Sequence, residues 1–183
     1  MPEKKISVKP ITQKRLTNIA LHYLERYESS SENLRCILRR RILRAEMKGA
    51  AIPAEAPAWV DSVIAEMQRL GYIDDRRFAS VTAEKYRKVG KSMRYIGQKL
   101  AQAGVSAEIQ AEIFAQENNS DENTEEAAAF LLVKKRKLGQ FRPEKDRALF
   151  RRKDLAVLAR AGFSYQTAVK ALGTIEGEDD DWN

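Results

Sequence analysis

The sequence predicts an all-α protein, and three observations predict it. No segment shows the period-two alternation or the β-branched runs of a strand, whereas apolar residues recur at three- and four-residue spacing throughout. One short joint, glycine then an apolar residue then a polar cap, also appears three times, as LGYIDD at 70, AGVSAE at 103 and AGFSYQ at 161. Each joint suits a helix-to-helix corner. Glycine adopts the left-handed C′ conformation at little cost, the next apolar side chain packs back on the ending helix, and Asp or Ser caps the following one.

The elements follow in order. Residues 12–28 place Leu16, Ile19, Ala20, Tyr23, Leu24 and Tyr27 on one helical face behind Thr12 as N-cap. Residues 31–48 carry the stripe Leu34, Ile37, Leu38 and Ile42, with Ser30 or Ser31 as cap, and GAAIPAEAP is a loop. Trp59, Val60, Val63, Ile64, Met67 and Leu70 define a third helix ended by Gly71, and Phe78, Val81, Thr82, Tyr86 and Val89 a fourth. Ser92 caps a fifth helix running through Ile96 and Leu100 to Gly104, and Ser106 caps a sixth with Ile109, Ile113 and Phe114. Beyond the acidic stretch ENNSDENTEE, a seventh passes through Ala127, Phe130, Leu131 and Leu138 to Gly139. An eighth follows FRP through Leu155 and Leu158 to Gly162, divided in two if the chain breaks near Phe150, and Ser164 to Leu172 forms a ninth.

Ser30, Leu34 and Leu38 keep the same spacing as Ser92, Ile96 and Leu100. The helices therefore group as three related three-helix units, over 14–75, 76–118 and 124–174. Around them lie a flexible arm (1–11), an acidic spacer (119–123) and an acidic tail (175–183) that is expected to be disordered. Units so small bury little apolar surface alone, so each is expected to lean on the next in an elongated, curved array of either hand.

Bulk properties narrow the function. With 43% hydrophobic and 32% charged residues in 183, the chain has the composition of a folded protein. No apolar stretch approaches the ~20 residues that span a bilayer, and MPEKKISVKP lacks the apolar centre of a secretory signal, so a cytoplasmic location and no membrane partner are expected. A single cysteine, Cys36, excludes an intrachain disulfide, and a single histidine, His22, leaves no Cys/His metal site. The net charge of +7 hides an asymmetry: seven carboxylates and no cation lie between Glu108 and Glu126, and EGEDDDWN adds five more, which leaves +19 on the remainder. Clustered Lys and Arg steer negative partners, either polyanions or acidic protein surfaces.

Several features imitate active sites. GKS at 90–92 resembles the end of a phosphate-binding loop, but Lys85 stands where that motif requires glycine and no strand precedes it. Asp74 and Asp75 have the look of paired catalytic carboxylates, yet they stand at a helix start, where carboxylates favour the positive dipole end and cap free N–H groups. His22 has no Ser, Cys or Asp at a recognisable spacing, and Cys36 reads as an inert thiol. No cofactor is implied. The basic clusters carry more: Arg35, Arg39, Arg40 and Arg44 in RCILRRRILR, then Arg76, Arg77, Lys91, Arg94 and Lys99, then Lys134, Lys135, Arg136 and Lys137. Four-residue spacing pairs Arg35 with Arg39 and Arg40 with Arg44 into ridges suited to phosphates or carboxylates, and Tyr95 between Arg94 and Lys99 is placed to stack on bases. These thirteen residues are the candidate binding set, chosen on charge.

Taken together, ALHYLERYESSSENLRCIL, RLGYIDDRRFA, RYIGQKLAQAGVS and RKDLAVLARAGFSYQTAVKAL resemble the RecX proteins, bacterial regulators of the recombinase RecA, over about 14–172. The resemblance implies tandem three-helix units and no catalysis. It implies a protein that binds along the groove of the RecA filament on single-stranded DNA, limits filament growth and lowers ATPase, strand-exchange and coprotease activities, and a monomer is expected. It thus points to homologous recombination, DNA repair and the SOS response, with weak direct DNA binding. The loop GAAIPAEAP, the spacer and the tail depart from a minimal member. From a different class, paired helices joined by short glycine turns also suit a RecA-independent, sequence-nonspecific DNA-binding protein.

Overall fold

The structure, a computed structural model, describes residues 10–118 and 125–173. The acidic spacer and tail, and all of the N-terminal arm but Pro10 and Ile11, lie outside the described residues. Among the described residues there are nine α-helices and no strand. These are α1 (Gln13–Leu24), α2 (Ser31–Glu46), α3 (Ala56–Arg69), α4 (Asp75–Lys88), α5 (Met93–Gln102), α6 (Ala107–Asn118), α7 (Glu125–Arg136), α8 (Glu144–Arg160) and α9 (Tyr165–Leu172). The all-α fold is therefore as the sequence predicts.

The chain divides into two compact units. One comprises Met1–Phe78 with Ala103–Val105, the other Ala79–Gln102 with Ser106–Asn183. In the first, α1, α2 and α3 surround a core of Leu16, Ala20, Leu34, Leu38, Val60, Val63, Ile64, Met67 and Ile73. Ile11, just ahead of α1, joins it at 3% exposure. In the second, a core of Ala128, Ala129, Val133, Leu138, Leu158, Phe163, Ala168, Ala171 and Leu172 unites α7, α8 and α9. The small side chains on α7 and α9 let those two backbones approach closely.

The helix starts are built as their caps require. The Thr12, Ser30, Ser92, Ser106 and Ser164 side chains accept from the backbone N–H three residues on. Asp74 Oδ1 accepts from the N–H groups of Arg76 (2.9 Å) and Arg77 (3.0 Å) and so caps α4. Asp75 Oδ1 instead accepts from Ser31 N–H at 2.7 Å, reaching the start of α2. Both carboxylates of the DD pair thus serve helix N-termini.

Ser30 and Ser92 do more than cap. The Ser30 hydroxyl donates to the carbonyl of Ala103, and that of Ser92 to the carbonyl of Ala161 (2.6 Å), in each case the residue before the joint glycine. The residue after each serine is bonded alike: Ser31 N–H goes to Asp75, and Met93 N–H goes to Glu125 (3.1 Å), the first residue of α7. Each unit therefore contains the same interlock, in which one helix start is tied to a second helix start and to an Ala-Gly joint.

Several apolar residues sit differently from their predicted faces. Tyr27 is 57% exposed because α1 stops at Leu24 and leaves it past the end. Tyr72, expected to pack the corner, is 51% exposed, and Ile73 fills that place alone. Helix α4 buries Ala79, Ala83 and Arg87 rather than Val81 and Val89, and α7 buries Ala128, Ala129 and Val133 rather than Phe130 and Leu131. In both helices the close-packed side is the alanine side, and the larger side chains turn outward. Helix α7 ends at Arg136, before Gly139, with Lys137 itself in the left-handed region at φ 53°. Helix α8 runs unbroken past Phe150.

Asp154, at 1% exposure, anchors the second unit's polar interior. It accepts two hydrogen bonds from Arg142 (2.7 Å each) and one from Gly139 N–H (2.9 Å). Burial alone would raise its pKa, but the Arg142 and Gly139 donors, with the charges of Arg142 and Arg151, outweigh burial and hold it below the ordinary carboxylate value.

Two predictions follow from this packing. At Gly104 (φ +75°) an added Cβ would overlap the Glu32 side chain, whereas at Gly49 (φ +83°) nothing lies within 4 Å. Urea denaturation should show Gly104→Ala costing about 2–4 kcal/mol and Gly49→Ala about 1 kcal/mol, the latter from backbone strain alone; equal losses would mean that the contact with Glu32 contributes nothing. Because Asp154's folded pKa lies below its unfolded value of about 3.9, its contribution is complete above that value and is lost as pH falls through the folded pKa. Asp154→Asn should cost roughly 3 kcal/mol at neutral pH and flatten the loss of stability below about pH 4; an unchanged acid slope would contradict this role.

Candidate polyanion-binding site

The thirteen cationic candidates separate once their partners are seen. In the first unit, Arg35 is 25% exposed and pairs with Glu32 (2.5 Å) and Asp61 (3.1 Å). The Glu32 hydrogen bond above all raises its pKa, so its charge is answered within the protein. Arg77 pairs with Glu28 at 3.1 Å, and Arg76 is exposed beside it. Arg39, Arg40 and Arg44 are exposed on α2, with Arg40 Nε donating to the Cys36 carbonyl at 3.3 Å. That ridge is cationic and exposed, and none of these three arginines lines a depression among the described cavities.

In the second unit the chain builds a concave site. Two adjoining depressions, of about 410 and 280 Å³, share Tyr95, Arg160 and Ala161. Lys91 and Arg136 complete the first, Arg94 and Gln98 the second, and neither wall includes a carboxylate. Tyr95 sits between cations: Lys91 Nζ is 4.7 Å and Lys99 Nζ 5.6 Å from its ring centroid, within cation–π range. An edge contact with Tyr86 at 5.4 Å supports the ring from its own unit.

The site's position follows from the interlock. Ser92, buried at the start of α5, holds the carbonyl of Ala161, so the end of α8 and the first turn of α5 lie side by side. A Cβ on Gly162 (φ +92°) would lie 2.7 Å from Ser92 Oγ and 3.2 Å from Arg94 Cβ, so this approach requires glycine. Arg94 and Arg160 thereby come to one rim, and Arg160 Nε is steadied by the Ala156 carbonyl at 3.1 Å.

The structure thus gathers Lys91, Arg94, Lys99 and Arg136 around Tyr95. Of the 134–137 run only Arg136 lines the cleft, and Lys134, Lys135 and Lys137 are exposed without belonging to its wall. Arg160 was missed from the sequence, although it directly precedes the repeated Ala-Gly joint. Arg87, within the same basic stretch, is buried and pairs with Glu125 at 2.7 Å. Arg151 is likewise buried and donates to the Gly173 carbonyl at 2.8 Å. His22 pairs with Glu25 at 3.5 Å, and among the described residues no group of His, Cys, Asp and Glu is placed to hold a metal ion. No helix among them is long and apolar enough to cross a membrane. What the cleft offers chemically is a concave, carboxylate-free cationic wall around one aromatic ring.

No family model matches the chain. It is 40% identical over 158 residues to the regulatory protein RecX of Myxococcus xanthus, covering 86% of this chain and 83% of that protein. It is 30% identical over 165 residues to the regulatory protein RecX of Agrobacterium fabrum, covering 88% and 85%. The crystal structure of RecX from Lactobacillus salivarius matches with a TM-score of 0.62 at 15% identity, over 87% of this chain and 94% of that one. A second RecX crystal structure matches with a TM-score of 0.64 at 20% identity, over 85% and 70%. The solved structures establish the shared fold, and the identity to the Myxococcus protein extends across most of both chains. The chain belongs to the RecX family of regulatory proteins.

Proposed function

We propose that this protein is a non-enzymatic modulator of RecA, chiefly an inhibitor, that binds the RecA filament on single-stranded DNA and lowers its ATPase, strand-exchange and coprotease activities. The observation that carries the reading is the carboxylate-free cleft of Lys91, Arg94, Tyr95, Arg136 and Arg160, in a chain of the RecX family. Such a wall suits DNA phosphates or an acidic protein surface, and the DNA within a RecA filament supplies phosphates. The exposed α2 ridge of Arg39, Arg40 and Arg44 supplies a second electrostatic contact. In this reading the protein acts as a cytoplasmic monomer, its helices work as three successive three-helix units, and its attachment blocks protomer addition and the motions coupled to ATP hydrolysis.

A second reading, a RecA-independent and sequence-nonspecific DNA-binding protein, is favoured by one observation: Tyr95 is flanked by two lysine ammonium groups, an arrangement that also suits stacked, phosphate-bearing bases.

Titration of RecA's single-strand-dependent ATPase tests the first reading. Inhibition should appear well below one protein per RecA protomer. The double reversal Arg94→Glu with Arg160→Glu should raise the inhibitory concentration about tenfold or more, while the melting temperature stays close to that of the wild type, since both side chains are exposed. An inhibitory concentration unchanged by the reversal would remove the cleft from the mechanism. Tight binding to naked DNA at physiological salt, with a steep salt slope and no effect on RecA, would favour the second reading instead.

A further inference from the structure

Outside the site described above, the first unit carries a groove of about 480 Å³ between α1 and α2. Its floor is Ile19, Ile37 and the half-buried Tyr23, and its rim is Arg15, Arg26 and Arg41. Tyr27 stands at the open end with 57% of its surface exposed, its ring 5.1 Å from that of Tyr23 and tilted by 33°. The Tyr23 hydroxyl accepts a hydrogen bond from Asn33 at 3.3 Å, which fixes the inner ring from the far side. Arg15 is held at its end of the groove by the Pro10 carbonyl at 3.0 Å. No carboxylate lines the groove, and the neighbouring Glu25 faces His22 on the rim at 3.5 Å.

We propose that this groove is a binding site for unpaired nucleic-acid bases, with Tyr27 as the stacking platform and Arg26 and Arg41 as the phosphate contacts. The chemistry selects this occupant. A large tyrosine left in solvent beside a second, anchored tyrosine offers π-surface that a base can cover, and every base has a face suited to it. Guanidinium groups along the rim supply the opposite charge that a sugar–phosphate backbone needs. An acidic peptide would satisfy the arginines but leave the Tyr27 face uncovered. A duplex, whose bases are already stacked and paired, would offer only phosphates. The site therefore discriminates single strands from duplexes, and it stands independently of any action on RecA.

The test uses the full chain with oligo(dT) carrying 5-iododeoxyuridine. Irradiation should crosslink Tyr27 or Tyr23, read by mass spectrometry, and unlabelled single-stranded oligo(dT) should compete at least tenfold better than duplex of the same length. Tyr27→Ala should cut the crosslink to groove residues by fivefold or more, whereas Tyr27→Phe, which keeps the ring, should preserve it. The double variant Arg26→Ala with Arg41→Ala should weaken oligo(dT) binding about tenfold and make its salt dependence shallower. Absence of crosslinks at Tyr23 and Tyr27, equal competition by duplex, or a crosslink yield indifferent to Tyr27→Ala would each overturn the proposal. Run beside the RecA ATPase assay, the two ideas fail separately. Inhibition without a groove crosslink removes the base site, and a Tyr27 crosslink without inhibition removes the RecA reading.

Discussion

A serine hydroxyl that bonds in both directions holds this fold together. At Ser30 and again at Ser92 the oxygen accepts a helical N–H three residues on, and its own proton goes to the carbonyl just before a joint glycine. A carboxylate from the start of another helix, Asp75 or Glu125, takes the next free N–H. Free N–H groups at a helix start must find partners if they are buried, and here the partners come from distant helices. An obligation of local structure is thereby turned into tertiary organisation. Both serines are fully buried, so no water can substitute for the lost partner.

The same interlock explains why the surface beside the joint glycine is cationic in the second unit and charge-paired in the first. Two residues beyond the serine, the first unit has Glu32 and the second has Arg94, and each packs against its joint glycine. Glu32 pairs with Arg35 at 2.5 Å and neutralises it. Arg94 has no such counterpart on the cleft wall and adds its charge to Arg160, Lys91 and Arg136. One architecture thus yields a closed ion pair in one place and an anion-seeking surface in the other, the difference resting on a single charge sign at matched positions.

The helices and their caps were legible in the sequence because their signals are local. Ser30, Ser92, Ser106 and Ser164 announce helix starts within a few residues, and Leu34, Leu38, Ile96 and Leu100 follow at helical spacing and are fully buried. What could not be read were decisions made across the chain. Nothing near Asp75 says that it reaches Ser31, and nothing near Arg160 says that it lines one cleft with Tyr95. Charge alone also fails to sort cations by task. Arg87 and Arg151 look like their neighbours but lie buried against Glu125 and the Gly173 carbonyl. Phe130 and Leu131 misled because an alanine face allows closer helix packing than a bulky one.

We propose the Tyr95 cleft as the surface through which this protein engages a RecA filament. Amide hydrogen exchange of the full chain, alone and mixed with RecA filaments on single-stranded DNA, tests it most directly. Exchange should slow in peptides covering 90–99 and 156–163, with little change on the far side of the same unit. Unaltered exchange in both segments under conditions where RecA's ATPase is inhibited would contradict it.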